Sequence, residues 1–210
     1  MRLYCEHLST CSAVLCQISG DIKGPTFNQI FKKHDTSLLF SEHTVHDVIK
    51  NVCQQAQVNI STITSIICAT GPGSITGVRS NIAYLYGITS VTHAPIQYAD
   101  TFTIAIHKLR NIINIFEKID AIVIRRNSDN FYVLRTCNLY SDALYSNLQV
   151  MSITEINAKN LRIAYINIAP SYNPQFKYII WHDTISAEDM VCIPSHRLSQ
   201  QPQWEWIKFI

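Results

Sequence analysis

The chain has 210 residues and a mass of 23.9 kDa, with 47% apolar and only 15% charged residues, against about 25% charged in an average soluble domain. Such a composition excludes an intrinsically disordered chain. The 17 Lys+Arg against 15 Asp+Glu, a net charge of +2, lack the basic excess of an autonomous nucleic-acid binder. The longest uncharged run, Asn51 to Val78, is diluted by Gln, Asn, Ser and Thr, which excludes a membrane span there. Glu6 stands where a signal peptide needs an apolar run,. Seven cysteines (5, 11, 16, 53, 68, 137, 192) form an odd set without a Cys-x-x-Cys pair. They read as reduced thiols of a cytoplasmic protein, with neither a disulfide frame nor a zinc site.

In chain order, Leu3–Cys5 and Ser12–Ile18 read as strands, and Gly20-Asp21 reads as a turn toward a possible third,. From Ser41 to Ala56 the apolar positions 45, 48, 49, 52, 53 and 56 repeat at helical spacing,. Ser41 is placed to cap that helix, with Glu42 and Asp47 at its acidic end,. Thr62–Thr70 is a β-branched run that reads as a buried strand,. A helix from about Ile75 carries Ile75, Val78, Ile82, Leu85 and Tyr86 on one side. A short Ala94–Tyr98 segment leads to a third helix through Ile106, Leu109, Ile113 and Phe116. Asp120–Arg126 and Asn130–Cys137 read as strands joined by a polar turn, and Leu161–Ile168 as another; the last forty residues give no clear pattern,. The order predicts an α/β protein of two lobes, 1–97 and 98–210, with no repeat at the sequence level,.

Of six glycines, Gly71, Gly73, Gly77 and Gly87 fall within seventeen residues. The segment Gly71-Pro72-Gly73-Ser74-Ile75-Thr76-Gly77-Val78-Arg79 is the one sharp motif. It joins a strand to a helix N-terminus, with Ser74 or Thr76 as cap. Backbone N–H groups there suit either an anion or simply a tight connection. It is not a Walker loop, having no Lys-Ser/Thr pair, nor a nucleophile elbow, since Ser74 lacks the flanking glycines,. His43 and His46 share a helix face but have no third metal ligand by spacing, so they read as solvated,. Arg125, Arg126 and Arg135 beside Phe131 and Tyr132 read as the wet face of a ribbon,. No catalytic set stands out, and no metal or cofactor is expected.

Gly71–Arg79 resembles the Gly-Pro-Gly-Ser-Phe-Thr-Gly-Leu-Arg segment of the TsaB (YeaZ) family. The Ser41-Glu42 helix opening and Thr10-Cys11-Ser12-Ala13-Val14-Leu15 are similar to the family's helix opening and second strand. The resemblance covers residues 1 to about 100. It implies two lobes of the actin-like ATPase (ASKHA) fold, mixed sheets flanked by helices. It also implies a non-catalytic subunit of the complex that makes threonylcarbamoyladenosine beside the tRNA anticodon. Its implied partners are a TsaD-like catalytic subunit and a TsaE-like ATPase, with tRNA met only through the complex. The implied contact is a four-helix bundle of the first two helices of each partner, with a homodimer possible when the chain is alone. On that basis Val45, Val48, Val52, Ile75, Val78 and Ile82 are the expected partner-binding residues, exposed as an apolar patch. Gly71, Pro72, Gly73, Ser74, Thr76, Gly77 and Arg79 form the motif turn.

Two departures bear on this. Cys5 stands in the place of the family's first-strand Asp, and the acid of the family's Asp-Ala-Arg hairpin is missing near Arg125-Arg126-Asn127. A free-standing actin-like kinase or ATPase is the competing reading, but residues 88–210 contain no glycine for a second phosphate loop. A metallopeptidase is a third, and its His-x-x-x-His pair is not found on any expected helix. A degenerate homologue without a partner is a fourth.

Overall fold

In the computed structural model the described residues are all except 7, 9–10, 20–25, 36–41, 113–115, 128, 137–146, 167–173, 192 and 203–210. The expected Gly20-Asp21 turn, the Ser41 cap, Ile113, Cys137 and Cys192 lie outside them.

The first sheet is built from β1 (Arg2–Glu6), β2 (Cys11–Ser19), β3 (Thr26–Asp35), β4 (Ser65–Ala69) and β5 (Ile96–Ala99), in the order β3-β2-β1-β4-β5. β1 pairs antiparallel with β2, and β2 with β3, while β1, β4 and β5 run parallel. Helix α1 (Glu42–Gln55) links β3 to β4, and α2 (Ile75–Thr92) links β4 to β5. β1 and β4 are buried on both faces over four consecutive residues, as parallel neighbours under helices must be,.

After α3 (Thr101–Arg110) the second sheet repeats the plan. It holds β6 (Ala121–Arg125), β7 (Asn130–Arg135), β8 (Leu148–Ser152), β9 (Ile163–Ile166) and β10 (Ile179–Asp183), in the order β10-β9-β6-β7-β8, with α4 (Ile153–Ala158) between β8 and β9. β6, β7 and β8 are antiparallel, and β6, β9 and β10 parallel. Alternation sets two cores. Ile122, Ile124, Leu134 and Ile166 join Leu3, Leu15 and Ile67 of the first lobe in one continuous core. The opposite face gives Val123, Phe131, Val133 and Tyr165 to a smaller core with Ile156 of α4.

Three expectations change. The lobe boundary expected after residue 97 falls inside β5, which closes the first sheet at Ala99. The third helix ends at Arg110 with Asn111 as its cap, short of the expected Phe116, where a separate 3-10 turn lies. The third correction concerns the patch. Val45, Val48, Val52 and Val78 are fully or almost fully buried, and Ile82 nearly so, in the chain's own core. Ile75 packs partly buried against the same core. These stripes exist because each helix must cover its own sheet; they are not an exposed face.

Ion pairs pin the second lobe. Asp120 just before β6 accepts from the Arg162 guanidinium at 2.8 and 3.1 Å and from the Arg162 N–H at 2.9 Å, fixing the start of β9 beside β6. These bonds from Arg162 hold the Asp120 carboxyl down at about 2.

Two substitutions test this packing. Val78→Glu puts a carboxylate into a core with no counter-charge, at a cost of about 3–5 kcal/mol, so the variant is expected to lose its cooperative melt. Asp120→Asn removes a group whose folded pKa lies below its ordinary value, so its stabilising effect is present above the ordinary carboxylate range and fades as pH falls through the folded value. The pair is partly solvated, so urea midpoints should report a deficit of under about 1 kcal/mol at neutral pH, shrinking between about pH 5 and pH 2.

Candidate functional site

Two places were singled out by the sequence: the motif turn and the face of the α1–α2 pair. The turn leaves β4 at Thr70, whose N–H donates to Ala99 O at 3.0 Å. Gly71 sits at φ 94°, a conformation that requires glycine,. Thr101, at the start of α3, donates its N–H to Gly71 O at 2.7 Å and its hydroxyl to Pro72 O at 2.7 Å. Ser74 caps α2, accepting from Gly77 N–H at 3.1 Å, while its own N–H donates to Leu8 O at 2.8 Å. A Cβ on Gly73 would lie 2.9 Å from Leu8 Cδ2 and 3.0 Å from Leu8 Cβ. Gly71, Pro72 and Gly77 are buried, Gly73 and Ser74 are half-buried, and Thr76 and Arg79 are exposed. The turn is a tight strand-to-helix connection clamped onto Leu8. The Ser74 and Gly77 N–H groups, which an anion would have used, are already donated within the chain.

The end of β1 beside it holds a residue the sequence reading passed over. Glu6 is fully buried. Its carboxylate accepts from Leu8 N–H at 2.5 Å and from the Ser12 hydroxyl at 2.9 Å, and Ser12 Oγ accepts from Ala187 N–H at 2.8 Å. The pairing of Glu6 with Ser12 across the β1–β2 ladder was the available signal, since a strand ending in an acid opposite a serine brings the two together. Cys5, one residue earlier, donates its thiol to Asn81 Oδ1 at 3.0 Å, and Asn81 Nδ2 donates to Cys68 Sγ at 3.4 Å. A hydrogen bond with Cys11, together with burial, pushes the Cys5 thiol up, and burial does the same to Cys68. These are protonated, inert thiols that tie α2 to β1 and β4. Among the described residues, Cys5, Cys11, Cys16, Cys53 and Cys68 are buried thiols outside any disulfide, and no cluster of His, Cys, Asp or Glu is arranged to hold a metal.

The outer face of α2 is different. Buried residues Val78, Asn81, Ile82, Leu85 and Ile88 turn inward. Ala83, Gly87 and Val91, spaced by four, point out, and Val91 is 72% exposed. With Ile60, Tyr84, Ile88 and Thr92 they line an open apolar groove of about 430 Å³. Tyr84 reaches α1, where its hydroxyl lies 2.8 Å from His46 Nδ1. His46 is thus a surface hydrogen-bonding residue; Tyr86, 49% exposed, bonds Tyr98 through their hydroxyls at 3.0 Å. Gly87 stands in mid-helix, where glycine costs about 0.5–1 kcal/mol relative to alanine. A Cβ there would meet nothing within 4 Å, so the chain's own packing gives no reason for it. Phe131 and Tyr132, beside Arg125 and Arg126 in the sequence reading, are buried.

This arrangement of two βββαβ lobes matches solved structures. One described as an uncharacterized protein with similarity to peptidase YEAZ from Pseudomonas aeruginosa aligns with a TM-score of 0.63, at 15% identity, over 91% of this chain and 88% of that one. YeaZ from Pseudomonas aeruginosa aligns with a TM-score of 0.59, at 14% identity, over 91% and 89%. The fold is that of YeaZ. No family model matches the sequence, and no curated protein matches it. The α/β class expected from the sequence, with mixed sheets flanked by helices, agrees with these structures. Among the described residues no helix is long and apolar enough to cross a membrane.

Proposed function

We propose that this chain is a non-catalytic, TsaB-like subunit that pairs through the α2 groove with a TsaD-like catalytic subunit. In this reading it serves threonylcarbamoylation of the adenosine next to the tRNA anticodon, with a TsaE-like ATPase joining the pair. The YeaZ fold and the Gly71–Arg79 motif support the assignment. The observation that carries the interface is Gly87 within an exposed apolar groove. A bare backbone surface in mid-helix lets a second helix approach closely, and an exposed valine one turn on supplies the apolar anchor. The contact therefore lies on Ala83, Gly87 and Val91, one helix face away from the buried stripe expected from periodicity to form it.

A partner subunit of this kind needs no chemistry of its own. The carboxylate at the end of β1 is spent on Leu8 and Ser12, and Leu8 fills the space against Gly73. Mg²⁺-nucleotide chemistry requires free oxygen ligands and open backbone donors at such a place. The competing ATPase predicts steady-state ATP turnover by the isolated chain that a Glu6→Gln change abolishes; the expected rate is background for both proteins.

Co-purification with a TsaD-like protein tests the pairing. Gly87→Ala should raise the melting stability by about 0.5–1 kcal/mol while weakening the complex, because the new methyl gains helix propensity and blocks close approach. Val91→Glu should leave the melt unchanged and weaken pairing at least tenfold. Intact pairing in both variants would overturn the assignment of the groove.

A further inference from the structure

The sequence beyond Pro202 is apolar out of proportion to its length. Residues 203–210, which lie outside the described residues, carry two tryptophans, Trp204 and Trp206, with Ile207, Phe209 and Ile210, beside one acid and one base. The place from which the chain enters this segment is fixed. Leu198 is buried in the core, and Ser199 exchanges both backbone hydrogen bonds with Tyr98 of β5, at 2.8 and 2.9 Å. The Ser199 hydroxyl donates to Gln201 O at 2.6 Å and accepts from the Gln201 N–H at 3.1 Å. The Tyr98–Ser199 bridge is antiparallel, so the chain past Ser199 heads from Tyr98 toward Ile96 and the end of α2 just before it. There Val91 and Thr92 line one end of the groove. The Tyr98 hydroxyl donates to that of Tyr86, the α2 residue next to Gly87, at 3.0 Å. The exit point and the groove thus flank the same turns of one helix.

Reach and chemistry agree. Eight residues extend to at most about 28 Å, whereas Ala83 to Val91 is a rise of about 12 Å along α2. The residues lining the groove carry no charge, so apolar side chains lose no polar partner by entering it. Gly87 presents bare backbone on which a flat aromatic ring can lie,. Tethering holds the segment at an effective concentration in roughly the millimolar range, so even a shallow contact closes the groove.

We propose that residues 203–210 occupy the α2 groove of their own chain while it is unpaired and are displaced by the subunit that pairs there. The docking is a property of this chain alone; its regulatory meaning rests on the proposed pairing through the same groove. A segment that closes the groove in about three molecules of four reduces a partner's apparent affinity about 4-fold, since only the open fraction binds. The closed form also covers an apolar surface that would otherwise be free to make non-specific contacts.

Tryptophan emission of the full chain reads the docking directly. Two of the three tryptophans lie in 203–210, and the third, Trp181, belongs to β10 of the other lobe. Val91→Glu, at an exposed position, should shift the emission to longer wavelength and increase quenching by acrylamide relative to the parent, and dilution should leave that difference unchanged. The double change Trp204→Ser/Trp206→Ser should tighten binding to the TsaD-like protein about 3- to 5-fold, opposite in direction to Val91→Glu. Equal emission and quenching in the parent and Val91→Glu would overturn the docking. A difference that disappears on dilution would overturn it too, by assigning the groove to a second copy of the chain. Unchanged binding in the double tryptophan variant would overturn the regulation. A parent that does not pair at all refutes the proposed partner, while the emission comparison still decides whether 203–210 fill the groove.

Discussion

A carboxylate buried at the end of the first strand governs how this chain is put together. Glu6 has no access to solvent, so its oxygens must be satisfied from within,. It takes the N–H of Leu8 and the hydroxyl of Ser12, and Ser12 in turn takes the N–H of Ala187. The first hydrogen bond bends the chain after β1, and that bend places Leu8 against Gly73. The second closes the β1–β2 hairpin, and the third brings the returning C-terminal segment back to the first lobe. Lys108 adds a further tie, donating to Thr184 O at 2.7 Å and pairing with Asp183 and Asp189. The two lobes therefore share one core across their junction. The same side chains close the end of β1, so the junction that holds the lobes together leaves no open carboxylate there.

The first lobe was largely legible in the sequence because its elements are periodic and sharply bounded. β4 announced itself by β-branched residues, α2 by the Ser74 cap, and the connection by glycines that Gly71's φ and Leu8's proximity require. The second lobe was less so. α4 is only six residues long and is set by a capping box between Ser152 and Glu155 more than by any apolar period. β10 is an edge strand with a register shift between Ile179 and Trp181, so its side chains do not alternate cleanly. Both sheets nonetheless have the same pairing plan, three antiparallel strands followed by two parallel ones. No repeat marks this in the sequence, since topology constrains which positions are apolar and leaves their identity free.

Periodicity also misled in one instructive respect. The stripes on α1 and α2 are real, but a stripe says only that a helix covers something. Here it covers the first sheet, and Val45, Val48, Val52 and Val78 have no surface left to offer. The outward face of α2 is hard to see in the sequence because Ala83 and Gly87 are bland in a hydrophobicity reading. The usable signal was different in kind. Alanine would stabilise α2 at position 87 and fit without contact,, so the glycine is unexplained by any need of the isolated chain.

The four clustered glycines therefore separate by what constrains each. Gly71 is fixed by its backbone angle and Gly73 by Leu8, both within the chain. Gly77 is buried at the first turn of α2. Only Gly87 faces open space, on the face that also exposes Val91. Stability of the free chain and close approach by another helix make opposite demands at that position. Only the second demand leaves a helix interior without a side chain. The polar link from Tyr84 to His46 then has a consequence for the same face: it ties α1 to α2 at the groove's edge. The groove itself is lined by α2 and by Ile60, both packed against the core beneath, so it is preformed, and little ordering cost remains for a partner to meet on binding.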